Sequence, residues 1–325
     1  MSIAQGPRIR ICYGAEVTRG TTPPNLNLQQ LRTITRDIDL TKGGLSSDEQ
    51  YPDGQRRDFR QGFNQVVGSF NFELSLAQQS TGTITNTGHD DLFEALLGGT
   101  WSATGTAGGS PGTLKCGTNL KTKSFERQFL DIGQYEAFAG CIPSDLTLSF
   151  DPAKIIGGTW NIMGMSAPIM SSTSIQGSGT LTTPTTAPPC DTFIGAITEG
   201  GSPIAVATQC QMTIKTGRSL SPVIGSKFSP DIFMGTILVS GTLSAFFQDN
   251  SLATKFYNEV NSTLVLTANE LPTSGQRKMV FTLPNIKYSG NKKSPPPQGG
   301  VVQQLPFEAL YDVSSGTTLQ IDRYL

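Results

Sequence analysis

The sequence holds one histidine, His89, in 325 residues. A single imidazole excludes a His-rich metal site and leaves little for general acid–base chemistry. Charge is scarce too. Asp, Glu, Lys and Arg make up 15% of the chain, and the formal net charge is −1. Such a chain has no global basic footprint, which argues against tight reading of nucleic-acid sequence. It also repels itself little, which suits packing against copies of itself. No apolar run reaches the length of a membrane span. The N-terminus, MSIAQGPRIRICYG, lacks the apolar stretch of a signal peptide, so the expectation is a product used without secretion. The five cysteines, Cys12, Cys116, Cys141, Cys190 and Cys210, stand far apart with no CxxC spacing. They predict reduced, mostly buried thiols rather than a disulfide or metal framework.

Familiar catalytic motifs are equally sparse. There is no Walker A sequence and no GxGxxG fingerprint. GGSPG (108–112) spells GxSxG, but a nucleophile elbow needs the backbone N–H after the serine. Pro111 stands there and has none. His89 beside Asp90 and Asp91 reads first as a polar residue near a helix start, and only second as a base held by a carboxylate. Asn261-Ser262-Thr263 is a glycosylation sequon by spelling alone. Neither a cofactor nor a metal is expected, and an enzyme is a poor fit.

What the chain has in quantity is Gly, Ser, Thr and Pro, set among alternating apolar and polar residues. LRTITRDIDLT (31–41), SDLTLSF (144–150), QCQMTIKT (209–216) and STLVLTA (262–268) all alternate. Period two means strands with one buried face. Helical signals are few. HDDLFEALLGGTW (89–101) has Asp90 placed to cap, an apolar face of Leu92, Phe93, Leu96 and Leu97, and a Gly98-Gly99 stop. DNSLATKFYNEV (249–260) offers Asn250 or Ser251 as a cap. The fold class expected is therefore all-β with two short helices.

The length is a prior for two domains. Residues 164–189 are rich in Ser, Thr, Gly and Pro, and split the chain nearly in half as a linker or long surface loop. On either side the same phrases recur. GFNQVVGSFNFEL (62–74) is echoed by GTILVSGTLSAFF (235–247), with Gly62 and Gly68 matched by Gly235 and Gly241. An alternating strand precedes each phrase, Leu40 matching Ile214. A short helix follows each, Leu92 matching Leu252. Then Cys141–Phe150 matches Leu283–Gly290, aligned on Pro143 and Pro284, and Ile155–Gly164 parallels Val301–Asp312. The order argues for a duplicated domain: 1–163, the linker 164–189, and 190–325.

These phrases resemble a known family. RDFRQGFNQVVGSFNFEL, DDLFEALLGGTW, FERQFLDIGQYEAFAGC, PDIFMGTILVSGTLSAFFQD and VVQQLPFEALYD are similar to the tail tube (major tail) proteins of long, non-contractile-tailed bacteriophages. The similarity spans about residues 34–312, apart from the linker and irregular loops. It implies tube-type β-sandwich domains that contribute strands to a ring-shaped β-barrel. It also implies rings stacked on a tape-measure protein, tail terminator and distal tail proteins as further partners, and passage of double-stranded DNA. A virion tail, assembled in the host cytoplasm, is the implied location. Single-domain members form hexameric rings, so two copies per chain predict a trimer. A lumen that lets DNA slide cannot be strongly basic, which makes Asp37, Asp39 and Glu73 candidate lumen-facing residues. The second copy has Gln211, Thr213 and Lys215 where the first has Asp37, Asp39 and Thr41. Arg56, Arg57 and Arg60 are candidate inter-subunit contacts, and the loops 43–58, 102–122 and 291–300 are candidates for contacts between subunits and rings. The alternatives are another virion β-protein, such as a baseplate or terminator subunit, and a carbohydrate-binding β-sandwich. The latter suits poorly a chain whose two tryptophans, Trp101 and Trp160, lie far apart.

Overall fold

The alternating segments become strands whose apolar residues turn to a shared core. In the computed structural model, residues 3–80, 83–85, 88–106, 108–166, 168–204, 206–270 and 277–325 are described. In the first half run β1 (Ile9–Ala15), β2 (Asp37–Ser46), β3 (Phe59–Glu73), α1 (His89–Leu97), β4 (Lys123–Phe129), β5 (Gln134–Phe150) and β6 (Gly157–Gly164). In the second run β7 (Ala196–Glu199), β8 (Ala207–Lys215), β9 (Leu238–Phe246), α2 (Ser251–Tyr257), β10 (Ser262–Asn269), β11 (Lys278–Tyr288) and β12 (Val302–Ala309). Shorter strands add to these edges. The described chain is all-β with two short α-helices.

One long antiparallel run crosses both halves in the order β2-β3-β6-β5-β8-β9-β12-β11. The join between halves is β5 against β8, from Phe150 opposite Cys210 to Asp145 opposite Lys215. The N-terminal part of β5 leaves this run to pair with β4, which pairs with β1. Likewise β11 pairs with β10, and β10 with β7. These strands form a second layer over the core. Phe70 of β3 stacks on Phe125 of β4 across that core, with ring centroids 5.7 Å apart. Among the described residues the long run does not close on itself within one chain.

The core is shared between the halves. Phe93 of α1 meets Trp160 at 5.1 Å edge-on and Phe281 at 6.0 Å. One cluster of buried residues includes Ile38, Phe70 and Trp160 together with Met212, Phe281 and Phe307. The C-terminal strand, Gln320–Tyr324, pairs with β11 on one edge and with Gly112–Lys115 on the other. Its Arg323 donates to Asp90 at 2.7 Å. Asp90 therefore does not cap α1 as the sequence suggests. The α1 N-cap is Gly88, in the left-handed region at φ 90°. Burial draws Asp90 inward to the arginine instead. The α2 cap also differs: neither Asn250 nor Ser251 caps through its side chain, and Asp249 accepts the Ser251 N–H at 2.8 Å.

The segment 164–189 is strapped down rather than free. Arg32 donates to the carbonyls of Thr185 and Ala187. The buried carboxylate of Glu126 accepts from the Ser174 hydroxyl and the Ile175 N–H, at 2.8 and 2.7 Å. Asn27 accepts from the Thr180 N–H at 2.9 Å. Two loops are also more regular than their composition suggests. β2 runs on through Ser46, and Lys292–Ser294 is a short strand on the β12 edge.

The repeated glycines have a steric reason that differs between the two phrases. A Cβ on Gly241 would stand 2.2 Å from the Gln211 carbonyl oxygen and 2.6 Å from the Phe307 ring, so no side chain fits. At Gly68 the nearest atoms would lie 3.3 Å away, which is tight but not closed.

Candidate assembly surface

Alternation along the eight-strand run leaves one broad polar face. Asp37 and Asp39 of β2 flank the fully buried Ile38 and point away from the core. Asp37 lies opposite Ser69, and Glu73 lies further along the same face of β3. The structure thus brings Asp37, Asp39 and Glu73 onto one side of one sheet. Thr159 donates to Asn71 there at 2.7 Å, and Thr147 and Thr213 meet across the β5–β8 join at 3.4 Å. The register sets Asp145 opposite Lys215 and Lys287 opposite Glu308. Opposite charges facing each other across strands stabilise the pairing modestly. The face is polar and of mixed sign, not a basic track for phosphate. Asp39 has a further tie, to the Arg127 guanidinium of β4 at 2.9 Å, which the spacing of β2 does not reveal.

Beyond the β6 edge, β2 and β3 continue as a two-stranded arm. β6 covers β3 only from Val66 to Glu73, whereas β2 follows β3 down to Phe59. The tip carries Arg56, Arg57 and Arg60, all exposed. Arg57 pairs with Asp53 at 2.9 Å and covers the Tyr51 ring, and Arg60 pairs with Asp58 at 2.9 Å. Carboxylates of the same loop therefore meet two of these cations, and exposed pairs of this kind add little stability. A second arm spans 216–237, between β8 and β9, and presents Val223 and Ile224 to solvent. The arms touch: the Asn64 N–H donates to the Lys227 carbonyl at 2.8 Å.

Among the described residues, the groups that could do covalent chemistry are few and mostly buried. His89 is buried, its ring 4.5 Å from that of Phe72, and its Nδ1 accepts from the Trp160 indole N–H at 3.2 Å. Burial first, and the nearby Arg32 charge second, push its pKa down to about 3. It is a neutral core histidine, a reading the sequence placed at a helix cap instead. Cys12, Cys141, Cys190 and Cys210 are buried free thiols and Cys116 is half-buried. Among the described residues no group of three His, Cys, Asp or Glu side chains could hold a metal ion. Apolar and near-apolar side chains, including Phe150, Pro152, Phe193 and Ile204, line an open cleft of about 420 Å³ at the join of the halves. Among the described residues no helix is long and apolar enough to cross a membrane.

Residues 6–309 match the profile of the phage tail tube protein family. The chain belongs to that family. The match covers the eight-strand run, both helices and both arms. Comparison with curated proteins finds no relative. Membership makes the chain a structural component of a phage tail, one that self-assembles into a tube; the family is not a class of enzymes.

Proposed function

We propose that this chain is the major tail tube subunit of a long, non-contractile phage tail. In this reading residues 1–163 and 190–325 are tandem tube domains joined by 164–189. Three chains close a pseudo-hexameric ring, each giving eight strands to a barrel around the lumen. Rings stack on a tape-measure protein, and DNA passes through during ejection. Terminator and distal tail proteins cap the ends. The polar sheet face with Asp37, Asp39 and Glu73 lines the lumen, and the arms reach to the neighbouring ring and subunits.

The observation that carries this reading is the agreement of strand registers between the halves. Ile38 lies opposite Gly68, and Met212 opposite Gly241. Gly157 and Gly164 face Glu73 and Val66, as Val302 and Ala309 face Phe246 and Val239. Ser149 faces Gly157 as Ser294 faces Val302. Phe129 faces Gln134 as Asn269 faces Lys278. Two halves that pair in the same order, residue against corresponding residue, support tandem copies of one domain. Chemistry supports this lumen side: among the described residues the face of the eight-strand run opposite the core is broad and polar, and it lacks a basic track.

Negative-stain imaging of concentrated purified protein tests the reading. Hollow filaments or rings are expected. Particles that stay monomeric at every concentration contradict it.

A further inference from the structure

We propose that the β5–β8 join is repeated between copies, with residues 290–295 of one chain pairing antiparallel with residues 36–41 of the next. This rests on the ring reading above, and it names the two edges that meet and the charges that register them.

The argument starts from which strand edges are open. Among the described residues, β2 pairs on one edge only, with β3. Lys292–Ser294 likewise pairs on one edge only, with β12. Exposed edges of this kind are templates for pairing with another chain. Within the chain, the corresponding edges are already joined. β5 gives its C-terminal half to β8, with Ser149 opposite Gln211 and Thr147 opposite Thr213. The β6 and β12 registers carry Ser149 onto Ser294 and Thr147 onto Lys292. The β3 and β9 registers carry Gln211 onto Asp37 and Thr213 onto Asp39. The same join made between chains therefore sets Ser294 opposite Asp37 and Lys292 opposite Asp39.

The side chains fit that placement. Inside the chain the Thr147 and Thr213 hydroxyls meet at 3.4 Å. Between chains the same position holds Lys292 against Asp39, with Asp37 diagonal to it on the same face. Both partners are exposed in the single chain, and the Asp39 side chain retains 70% of its accessibility despite the Arg127 pair. Among the described residues no carboxylate lies within ion-pair distance of Lys292, whereas its neighbour Lys293 already covers the Phe247 ring at 3.7 Å. Opposite charges directly across an antiparallel pair stabilise it, and like charges would oppose it. The arrangement is head-to-tail, so it propagates around a ring and consumes both open edges of every copy.

Cross-linking tests the pairing. The double variant Lys292→Cys, Asp39→Cys is assembled under reducing conditions and then oxidised. The β-carbons of directly opposed residues fall within reach of a disulfide. Covalent species of two and three copies on a non-reducing gel are expected. The adjacent in-register pair, Ser294→Cys with Asp37→Cys, is expected to behave alike. Lys292→Cys with Ser46→Cys lies seven residues out of register, roughly 24 Å along the strand, and is expected to stay uncross-linked. Thr147→Cys with Thr213→Cys reports the oxidation itself, as an internal disulfide. If tubes form and this internal pair oxidises while both in-register pairs stay monomeric, the proposed edge pairing is wrong and the tube reading stands. If the unaltered chain forms no tubes, the tube reading fails, and the pairing with it.

Discussion

Arg323→Met is expected to destabilise the protein by about 3–5 kcal/mol at pH 8, and by far less at pH 5. Arg323 lies on the last strand, and its guanidinium stands 2.7 Å from the Asp90 carboxylate and 4.2 Å from the centre of the Trp101 ring. The side chains of Asp90 and Arg323 are 3% and 10% exposed. Burial raises the Asp90 pKa to about 6, although the Arg323 charge pulls the other way. The folded state therefore holds a proton that the unfolded chain releases between about pH 4 and 6, and stability falls as pH rises through that window. Without Arg323 the bare carboxylate loses its counter-charge, and the folded pKa climbs further. At pH 8 the protein must bury an uncompensated charge or bind a proton from dilute solution. At pH 5 the proton is already in place, and only packing and a hydrogen bond are lost. Urea unfolding of both proteins at the two pH values measures this. An equal loss at both would show that Asp90 stays ionised in the core. The paired variant Asp90→Leu, Arg323→Met should lose less than Arg323→Met alone at pH 8, since removing both members of a buried pair leaves no orphan.

His89 is expected to dominate the opposite response, the loss of stability in acid. Its Nδ1 accepts the Trp160 N–H, and a protonated ring would turn a second donor toward that donor. Its pKa falls from the usual 6.5 to about 3. As pH drops below 6.5 the unfolded chain binds a proton that the folded chain refuses, so stability declines by about 1.4 kcal/mol per pH unit. Between pH 7 and 4 the native protein should lose about 3 kcal/mol relative to His89→Gln. The readout is the difference between the two pH profiles, because the substitution also disturbs the ring contact with Phe72. Parallel profiles would place the acid sensitivity elsewhere. Over pH 6 to 4 the Asp90 and His89 responses run against each other, so only the variant separates them.

The contrast between these two sites and the strands marks how far the sequence could be read. Strands such as Asp37–Thr41 and Gln209–Lys215 were legible because one buried face imposes period two on neighbouring residues. Helix α1 was legible from its apolar face, and it stops at Gly98, in the left-handed region at φ 68°, where its sequence says it should. The Asp90–Arg323 pair was not legible, since its partners stand 233 residues apart and neither belongs to a pattern. The cap reading of Asp90 failed for that reason: local rules saw a helix N-terminus, and burial brought a distant cation. Pro143 lies within β5. The strand runs through, and a register shift between Asn161 and Ile162 on β6 absorbs the proline, which cannot donate to the ladder. In the proposed duplication the same proline finds a different match. Pro143 faces Ile162, and Phe307, which would correspond to Ile162, faces Tyr288 rather than Pro284. Asp37 and Asp39 were legible as sharing one face, because alternation alone sets that, whereas Glu73 joins that face through the β2–β3 register. The open strand edges were not, because a strand's second neighbour is decided by long-range pairing.

The number of chains in one ring of the assembled tube tests the central claim most directly. Electron cryo-microscopy of the tube, viewed in cross-section, should resolve three chains and six similar but non-identical domains, with residues 290–295 beside residues 36–41 at every boundary between chains. Six chains in a ring, or a lumen lined by the apolar side of β2 and β3, would contradict it.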